Sequence, residues 1–217
     1  MHITDFNTIL FDMDGVVIDS EKLHLKAMDL SLESNNIVYD NSILNDFVGR
    51  SDESFFQYIF DNFDSSVDVE KLLKDKNSFF EELLKGMQYV EGFTDFIKVT
   101  NQKNIKTGLV TSSSQFTIKK VDEILNLTPY FKVIVAEEDT QKHKPHPDPY
   151  LLGLMKFNAD KTRTLIIEDS VNGIISGKAA GCVVAGLTTS FNSQVLLDAG
   201  ADFVVDSYTE LQEIINL

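Results

Sequence analysis

The sequence predicts an α/β protein in which a doubly wound parallel sheet is interrupted by an inserted α-helical cap domain. From Gly92 onward, short apolar runs alternate with helical patterns, and this alternation is typical of βαβ units. Before that point, a single apolar run near the N-terminus is followed by a long helical stretch with no convincing strand. With 43% hydrophobic and 24% charged residues, the composition is that of a globular protein.

The first predicted element is a buried strand over residues 8–11. The region that follows is helical, because apolar side chains recur there at helical spacing, as in Phe55, Phe56, Ile59, Phe60 and Phe63. We therefore predict that residues 1–16 and 88–217 form the core of the protein and that residues 17–87 form the cap.

The remaining elements follow Gly92 along the chain. Apolar runs predict further strands at 107–110, 133–136, 164–167, 182–187 and 203–205. Helical patterns predict helices at 93–103, 116–125, 147–157 and 171–180, and a last helix that extends to Ile215. In an open α/β sheet the ligand lies beyond the carboxyl ends of the strands, so we expect a cap joined at that edge to cover the site.

Charge and cysteine content limit the partners and the compartment. The chain of 217 residues carries 19 Lys and Arg against 34 Asp and Glu, a formal net charge of −15. This charge repels nucleic acid and anionic membranes, so neither is expected as a partner, and a monomer is predicted. Cys182 is the single cysteine and lies in an apolar run, which predicts a buried structural thiol and a reducing, cytoplasmic compartment. The N-terminal residues do not resemble a secretory signal.

Polar residues follow several of the predicted strands directly. Asp12 and Asp14 follow the first strand, and Lys144 opens the helix after the third. The other such residues follow the second and fourth strands: Thr111, Ser112, Ser113, Glu168 and Asp169. Because the carboxyl ends of parallel strands meet at one edge of a sheet, these side chains are expected to converge.

The acidic residues in this group predict a cation. Asp12 and Asp14 are two residues apart, so in extended backbone both point to the same side, about 7 Å apart at Cα. Glu168 and Asp169 add two more carboxylates, and four such groups without a cation would raise one another's pKa and destabilise the fold. Mg²⁺ is the expected cofactor, because it binds few protein carboxylates and keeps water or substrate phosphate as its other ligands.

Taken in order, these motifs resemble those of a known family. Asp12-Met13-Asp14-Gly15-Val16 resembles the D-x-D-G-[TV] signature of the haloacid dehalogenase superfamily. The family's later motifs are matched in order by Val110-Thr111-Ser112, Lys144-Pro145 and Ile167-Glu168-Asp169-Ser170. The resemblance covers essentially the whole chain and is to the beta-phosphoglucomutase-like, sugar-phosphatase branch, which has a Rossmann-like core and a small α-helical cap.

The resemblance implies a role for each matched residue. Asp12 would attack phosphorus and form an aspartyl-phosphate, and Asp14 would protonate the leaving oxygen and then accept a proton from water. Mg²⁺ would be bound by the Asp12 carboxylate, the Asp14 backbone carbonyl and Asp169, with Glu168 binding directly or through water. The phosphate oxygens would be held by the remaining members of the set: Thr111, the Ser112 backbone N–H and Lys144.

Cap residues are the expected determinants of substrate choice. The candidates for contact with the substrate are Ser20, His24, Arg50 and Lys76. Arg50 follows Gly49 in a predicted turn between helices, where the family commonly places its specificity loop.

The sequence favours a phosphatase acting on a small-molecule phosphate ester, and the stretch 144–151 resembles the sugar- and polyol-phosphate phosphatases. Dehalogenases and phosphonatases of the family lack a carboxylate where this chain has Asp14. A beta-phosphoglucomutase-like phosphomutase is the alternative, although Asp52 stands where the mutase has an Arg that grips a second phosphate. A non-catalytic binding module is a further alternative, although degenerate members generally lose the nucleophile or a metal ligand.

Overall fold

The computed structural model describes residues 6–47 and 52–217, without the side chains of Asn45 and Asp46. The chain divides into a core unit, which runs up to Asp19 and resumes over Gln88–Leu217, and a cap unit, Ser20–Met87. Residues 17–19, placed in the cap by the sequence, belong to the core unit. Their backbone explains this, because the Val90 N–H donates to the carbonyl of Val17 at 3.0 Å and the Asp19 N–H donates to the carbonyl of Gln88 at 2.9 Å.

The cap unit is helical, as its apolar spacing predicts. Its α-helices are α1 (Glu21–Ser34), α2 (Asp52–Asn62) and α3 (Val69–Leu83). A short 3₁₀ segment, Asn41–Phe47, follows α1. The helices enclose a small apolar core that includes Met28, Leu32, Phe55, Phe56, Ile59 and Leu72. Ser31 ties α1 to α3, because its buried hydroxyl donates to the carbonyl of Leu72 at 2.8 Å.

The core unit is built on one parallel sheet. Its strands are β1 (Thr8–Phe11), β2 (Lys106–Val110), β3 (Val133–Val135), β4 (Thr164–Glu168), β5 (Val183–Leu187) and β6 (Phe203–Val205). Their order is β3-β2-β1-β4-β5-β6, so the chain moves outward from β1 in one direction and then crosses to the other side. This order confirms the predicted doubly wound α/β fold.

The α-helices of the core unit lie between its strands and after the last one. They are α4 (Phe93–Gln102), α5 (Gln115–Leu125), α6 (Asp148–Phe157), α7 (Val171–Ala179), α8 (Ser193–Asp198) and α9 (Tyr208–Ile215). Of these, α8 was not predicted, because six residues are too few to show a helical period. It begins at a cap instead, where the side chain of Asn192 accepts from the Val195 N–H at 3.1 Å. No helix among the described residues is both long and apolar enough to cross a membrane.

The central strands are mostly apolar, as expected for a parallel sheet whose two faces are both covered. Every residue of β1 is buried, and Leu10 packs in one core cluster with Val110, Ile166 and Val184 from neighbouring strands. Cys182 lies in the same cluster and is buried, as predicted. Burial raises the pKa of its thiol to about 12, so the thiol stays protonated and unreactive near neutral pH.

Candidate active site

Asp12 and Asp14 lie where the central strand β1 ends. The Asp12 N–H donates to the carbonyl of Ile167 at 3.0 Å, so pairing with β4 continues one residue beyond β1. The chain then turns sharply, and the Val17 N–H donates to the carbonyl of Met13 at 2.8 Å. Gly15 adopts a φ of +70° in this turn, a conformation that favours glycine. The turn leaves the Asp12 carboxylate at the carboxyl end of the sheet.

Lys144 binds this carboxylate from the segment that precedes α6. Its ammonium nitrogen donates to Asp12 Oδ1 at 2.5 Å, to Glu168 Oε1 at 2.7 Å and to the carbonyl of Val110 at 2.9 Å, which uses all three of its protons. Only 5% of the side chain is exposed. Burial alone would lower the pKa of Lys144, but attraction by Asp12 and Glu168 outweighs it and raises that pKa. Lys144 is therefore a fixed positive charge.

Three carboxylates come together beside Lys144. Asp12, Glu168 and Asp169 are buried, and each offers an oxygen that lies within 4.8 Å of the others. Burial raises the pKa of Asp12 to about 7; Lys144 opposes this shift, and repulsion by Glu168 and Asp14 adds to it. Burial, and then repulsion by Asp12 and Glu168, also raises the pKa of Asp169. Buried carboxylates that resist ionisation when crowded are suited to a divalent cation, so this donor set fits Mg²⁺.

Both oxygens of Glu168 accept hydrogen bonds from protein donors. Besides Lys144, the buried hydroxyl of Tyr150 donates to Oε1 at 2.6 Å, while the Ser170 hydroxyl donates to Oε2 at 3.0 Å. The start of α7 approaches so closely that a Cβ at Gly173 would lie 1.8 Å from Oε1. Tyr150 was not predicted to belong to the site, because an aromatic residue at helical spacing indicates a core position.

Ser113 links the side chain of Asp14 to the residue that follows β2. Its hydroxyl donates to Asp14 Oδ2 at 3.0 Å, and its own N–H donates to Thr111 Oγ1 at 2.9 Å. Thr111 is buried at the end of β2, and Ser112 next to it is exposed. The sequence placed Thr111 and Ser112 in the phosphate site but assigned no role to Ser113, which is the residue that contacts Asp14.

The loop after β5 also reaches the carboxylates. The hydroxyl of Ser190 donates to Asp169 Oδ2, and the hydroxyl of Thr189 donates to the carbonyl of Gly15 at 2.6 Å. The sequence predicted this strand but assigned no role to the residues after it. A run of Thr and Ser after a strand is common in loops and does not by itself indicate a site. The only available signal was that this loop follows a strand whose carboxyl end lies at the same edge of the sheet as the predicted site residues.

Two of the cap residues predicted to contact substrate, His24 and Lys76, contact each other within the cap unit. Within the cap unit, the buried ammonium of Lys76 lies 2.5 Å from Asp52 Oδ2 and 2.8 Å from His24 Nδ1. The His24 ring stacks on Phe80 with centroids 4.0 Å apart. Arg50 lies outside the described residues. No role in substrate binding is established for any of the four candidates, which stay predictions: Ser20, His24, Lys76 and Arg50.

The fold and this site define the class of protein. Residues 9–187 match the haloacid dehalogenase-like hydrolase family, and the chain belongs to that family, as its motifs predict. It is 29% identical to the pyrophosphatase PpaX of Bacillus pumilus, over 99% of each chain. It is 30% identical to the phosphorylated carbohydrates phosphatase of Thermotoga maritima, over 96% of each chain. These relatives confirm the predicted class of enzyme, a phosphatase.

A solved structure extends the comparison. The chain superimposes on a Thermotoga maritima protein named as a candidate beta-phosphoglucomutase with a TM-score of 0.82 and 27% identity, over 97% of each chain. The likeness covers the whole α/β fold with its inserted helices. Because that protein is named as a phosphomutase, the mutase alternative stays open.

Proposed function

We propose that the protein hydrolyses a monophosphate ester of a small metabolite, most simply a sugar or polyol phosphate, through an aspartyl-phosphate on Asp12. The observation that carries this proposal is the contact between Asp12 and Lys144 at the carboxyl end of β1, beside Glu168 and Asp169. A nucleophilic carboxylate, a fixed ammonium and a group of cation-binding carboxylates are what phosphoryl transfer to a side chain requires.

The carboxylates would hold one Mg²⁺. Asp12, Asp169 and the backbone carbonyl of Asp14 would be its protein ligands. Glu168 would bind through water rather than directly, since both of its oxygens already accept protein donors. When bound, the ion would screen the negative charge of the phosphate from the attacking carboxylate.

Asp12 and Asp14 would carry the two chemical steps. An Asp12 oxygen forms a bond to phosphorus while the bond to the leaving oxygen breaks, and Asp14 gives that oxygen a proton. Water then attacks phosphorus and gives its proton to Asp14, and the bond to Asp12 breaks, which releases phosphate and restores both residues. Ser113 orients Asp14 for these transfers through its hydrogen bond to Oδ2. Lys144 keeps Asp12 oriented and offsets charge on the phosphoryl oxygens.

The relatives narrow the choice of substrate. The carbohydrate phosphatase supports a phosphorylated sugar, in agreement with the stretch 144–151. The pyrophosphatase makes inorganic pyrophosphate the main competitor. A panel of sugar, polyol and nucleoside monophosphates with pyrophosphate as a separate arm tests the choice. Release of phosphate from pyrophosphate alone would contradict the sugar or polyol assignment.

A phosphomutase needs a cationic side chain that binds the second phosphate of its bisphosphate intermediate. At the position where a mutase would carry Arg, this chain has Asp52, which pairs with Lys76. The pair is neutral overall, so it supplies no net positive charge for a second phosphate. We expect phosphate release from sugar monophosphates and no bisphosphate-primed conversion of β-glucose 1-phosphate to glucose 6-phosphate. Efficient conversion of that kind would overturn the phosphatase assignment.

Replacing the nucleophile tests the mechanism. Asp12→Asn removes the attacking carboxylate, so kcat should fall at least about 10³-fold while the fold is retained. Acid-quenched wild-type enzyme should carry one phosphoryl group on the peptide that contains Asp12, as seen by mass spectrometry. Asp139→Asn, which changes a carboxylate outside the group, is the matched control and should keep activity. Near wild-type turnover by Asp12→Asn would rule out the mechanism.

A further inference from the structure

The loop after β5 holds one side of Asp169. Ser190 Oγ donates to Asp169 Oδ2. Thr189 Oγ1 lies 3.4 Å from the same oxygen, but its single proton points to the carbonyl of Gly15 at 2.6 Å. The neighbouring Thr188 hydroxyl points elsewhere and donates to Asp206 Oδ1 at 2.6 Å. Ser190 is therefore the hydroxyl that binds Asp169.

Gly15 closes the same side of Asp169. A Cβ at Gly15 would lie 1.8 Å from Asp169 Oδ2 and 3.1 Å from Ser190 Oγ, so the backbone of the turn presses against that oxygen. Asp169 is 4% exposed. In the part of the chain that the structure describes, no donor contacts its other oxygen, Oδ1. The two oxygens of Asp169 are thus unequal, with Oδ2 engaged by the protein and Oδ1 open.

We infer that Ser190 is a positioning residue that limits Asp169 to coordination through one oxygen and thereby favours Mg²⁺ over Ca²⁺. Mg²⁺ requires near-ideal octahedral geometry, in which a carboxylate contributes one oxygen. Ca²⁺ accepts more ligands and commonly binds both oxygens of a carboxylate. A hydroxyl that occupies Oδ2 disfavours the second arrangement. The inference rests on the proposed metal site and adds a cause for its choice of ion.

Calorimetric titration with Mg²⁺ alone and with Ca²⁺ alone tests the inference. Ser190→Ala should weaken Mg²⁺ binding and strengthen Ca²⁺ binding, so the ratio of the Ca²⁺ Kd to the Mg²⁺ Kd should fall about tenfold. Thr188→Val removes a hydroxyl from the same loop without touching Asp169 and should keep the wild-type ratio. Ser190→Thr retains the hydroxyl and should also keep it. A purely structural role would change stability but not this ratio.

The outcomes separate this inference from the proposed function. If the wild-type protein binds Mg²⁺ and the ratio for Ser190→Ala equals that of wild type, Ser190 does not select the ion and the inference is wrong. If the wild-type protein binds no Mg²⁺, the proposed metal site itself fails. Should Ser190→Ala not fold, Ser190→Cys carries the same prediction, because a thiol is a weak donor.

Discussion

The ammonium nitrogen of Lys144 lies 2.5 Å from Asp12 Oδ1, although 132 residues separate the two in the chain. The contact joins the end of β1 to the segment before α6, and Glu168 shares the same ammonium. In a protein with a net charge of −15, Lys144 offsets part of the negative charge of Asp12 and Glu168 at this edge of the sheet. The long-range field repels anions, so binding of a phosphate would depend on Lys144 together with the proposed Mg²⁺.

Lys144→Met should destabilise the metal-free protein at pH 8. It leaves Asp12 and Glu168 without their shared cation, and loss of one partner from a buried ion pair costs about 3–5 kcal/mol of unfolding free energy. We expect kcat to fall at least about 10²-fold as well. Urea denaturation in EDTA measures the loss of unfolding free energy. This loss should be smaller at pH 5, where the carboxyls can take protons.

Lys142→Met changes an exposed lysine of the same segment and should leave both the unfolding free energy and kcat unchanged. Wild-type stability of Lys144→Met at pH 8 would refute the prediction.

Asp14→Asn should slow the phosphorylation of Asp12, and the effect should be larger for a substrate whose leaving group must be protonated. A sugar alkoxide needs protonation, whereas p-nitrophenolate leaves without it. Single-turnover phosphorylation of Asp12 should therefore fall much more with a sugar phosphate than with p-nitrophenyl phosphate. Equal losses with the two substrates would argue against Asp14 as the acid.

Ser113→Ala should lower kcat for a sugar phosphate about tenfold, the effect of losing a hydrogen bond to a charged group. The loss should vanish in an Asp14→Ala background, because Ser113 acts through that carboxylate. Steady-state kinetics of the double-mutant cycle measures the coupling. Ser112→Ala changes an exposed neighbour whose predicted role uses its backbone N–H, and it should retain activity. Additive losses would show that Ser113 works independently of Asp14.

Affinity for Mg²⁺ should rise with pH at least up to about pH 7. In the metal-free folded protein the pKa of Asp12 is about 7, against 3.8 ordinarily, so below pH 7 the carboxyl holds a proton that the cation must displace. The Kd should fall about tenfold per pH unit over this range. The same shift makes the metal-free fold lose stability as pH rises from about 4 to 7, because the folded state binds the proton more tightly than the unfolded state. A Kd that stays constant between about pH 5.5 and 8 would contradict this.

Secondary structure was predictable wherever an apolar run or a helical spacing of apolar residues was long enough to recognise. The apolar run at β1 and the alternating runs after Gly92 predicted every strand of the described sheet to within a residue or so. Helix α8 was not predicted, because its six residues begin at a polar cap and bury only Leu196. The boundary of the cap was misplaced by residues 17–19, because backbone pairing with 88–90 leaves no trace in side-chain pattern.

The sequence by itself determined which residues meet at the edge of the sheet. Asp12, Glu168 and Asp169 follow apolar runs directly, and Lys144 precedes the helix after the third strand. The carboxyl ends of parallel strands converge whatever lies between them. Only the tertiary structure decided which atoms bind one another. Tyr150, Ser113 and Ser190 contact the carboxylates through single hydroxyl groups, and no pattern in their local sequence indicates which carboxylate each one binds. Their partners are chosen by packing across distant segments of chain, which a one-dimensional pattern does not encode.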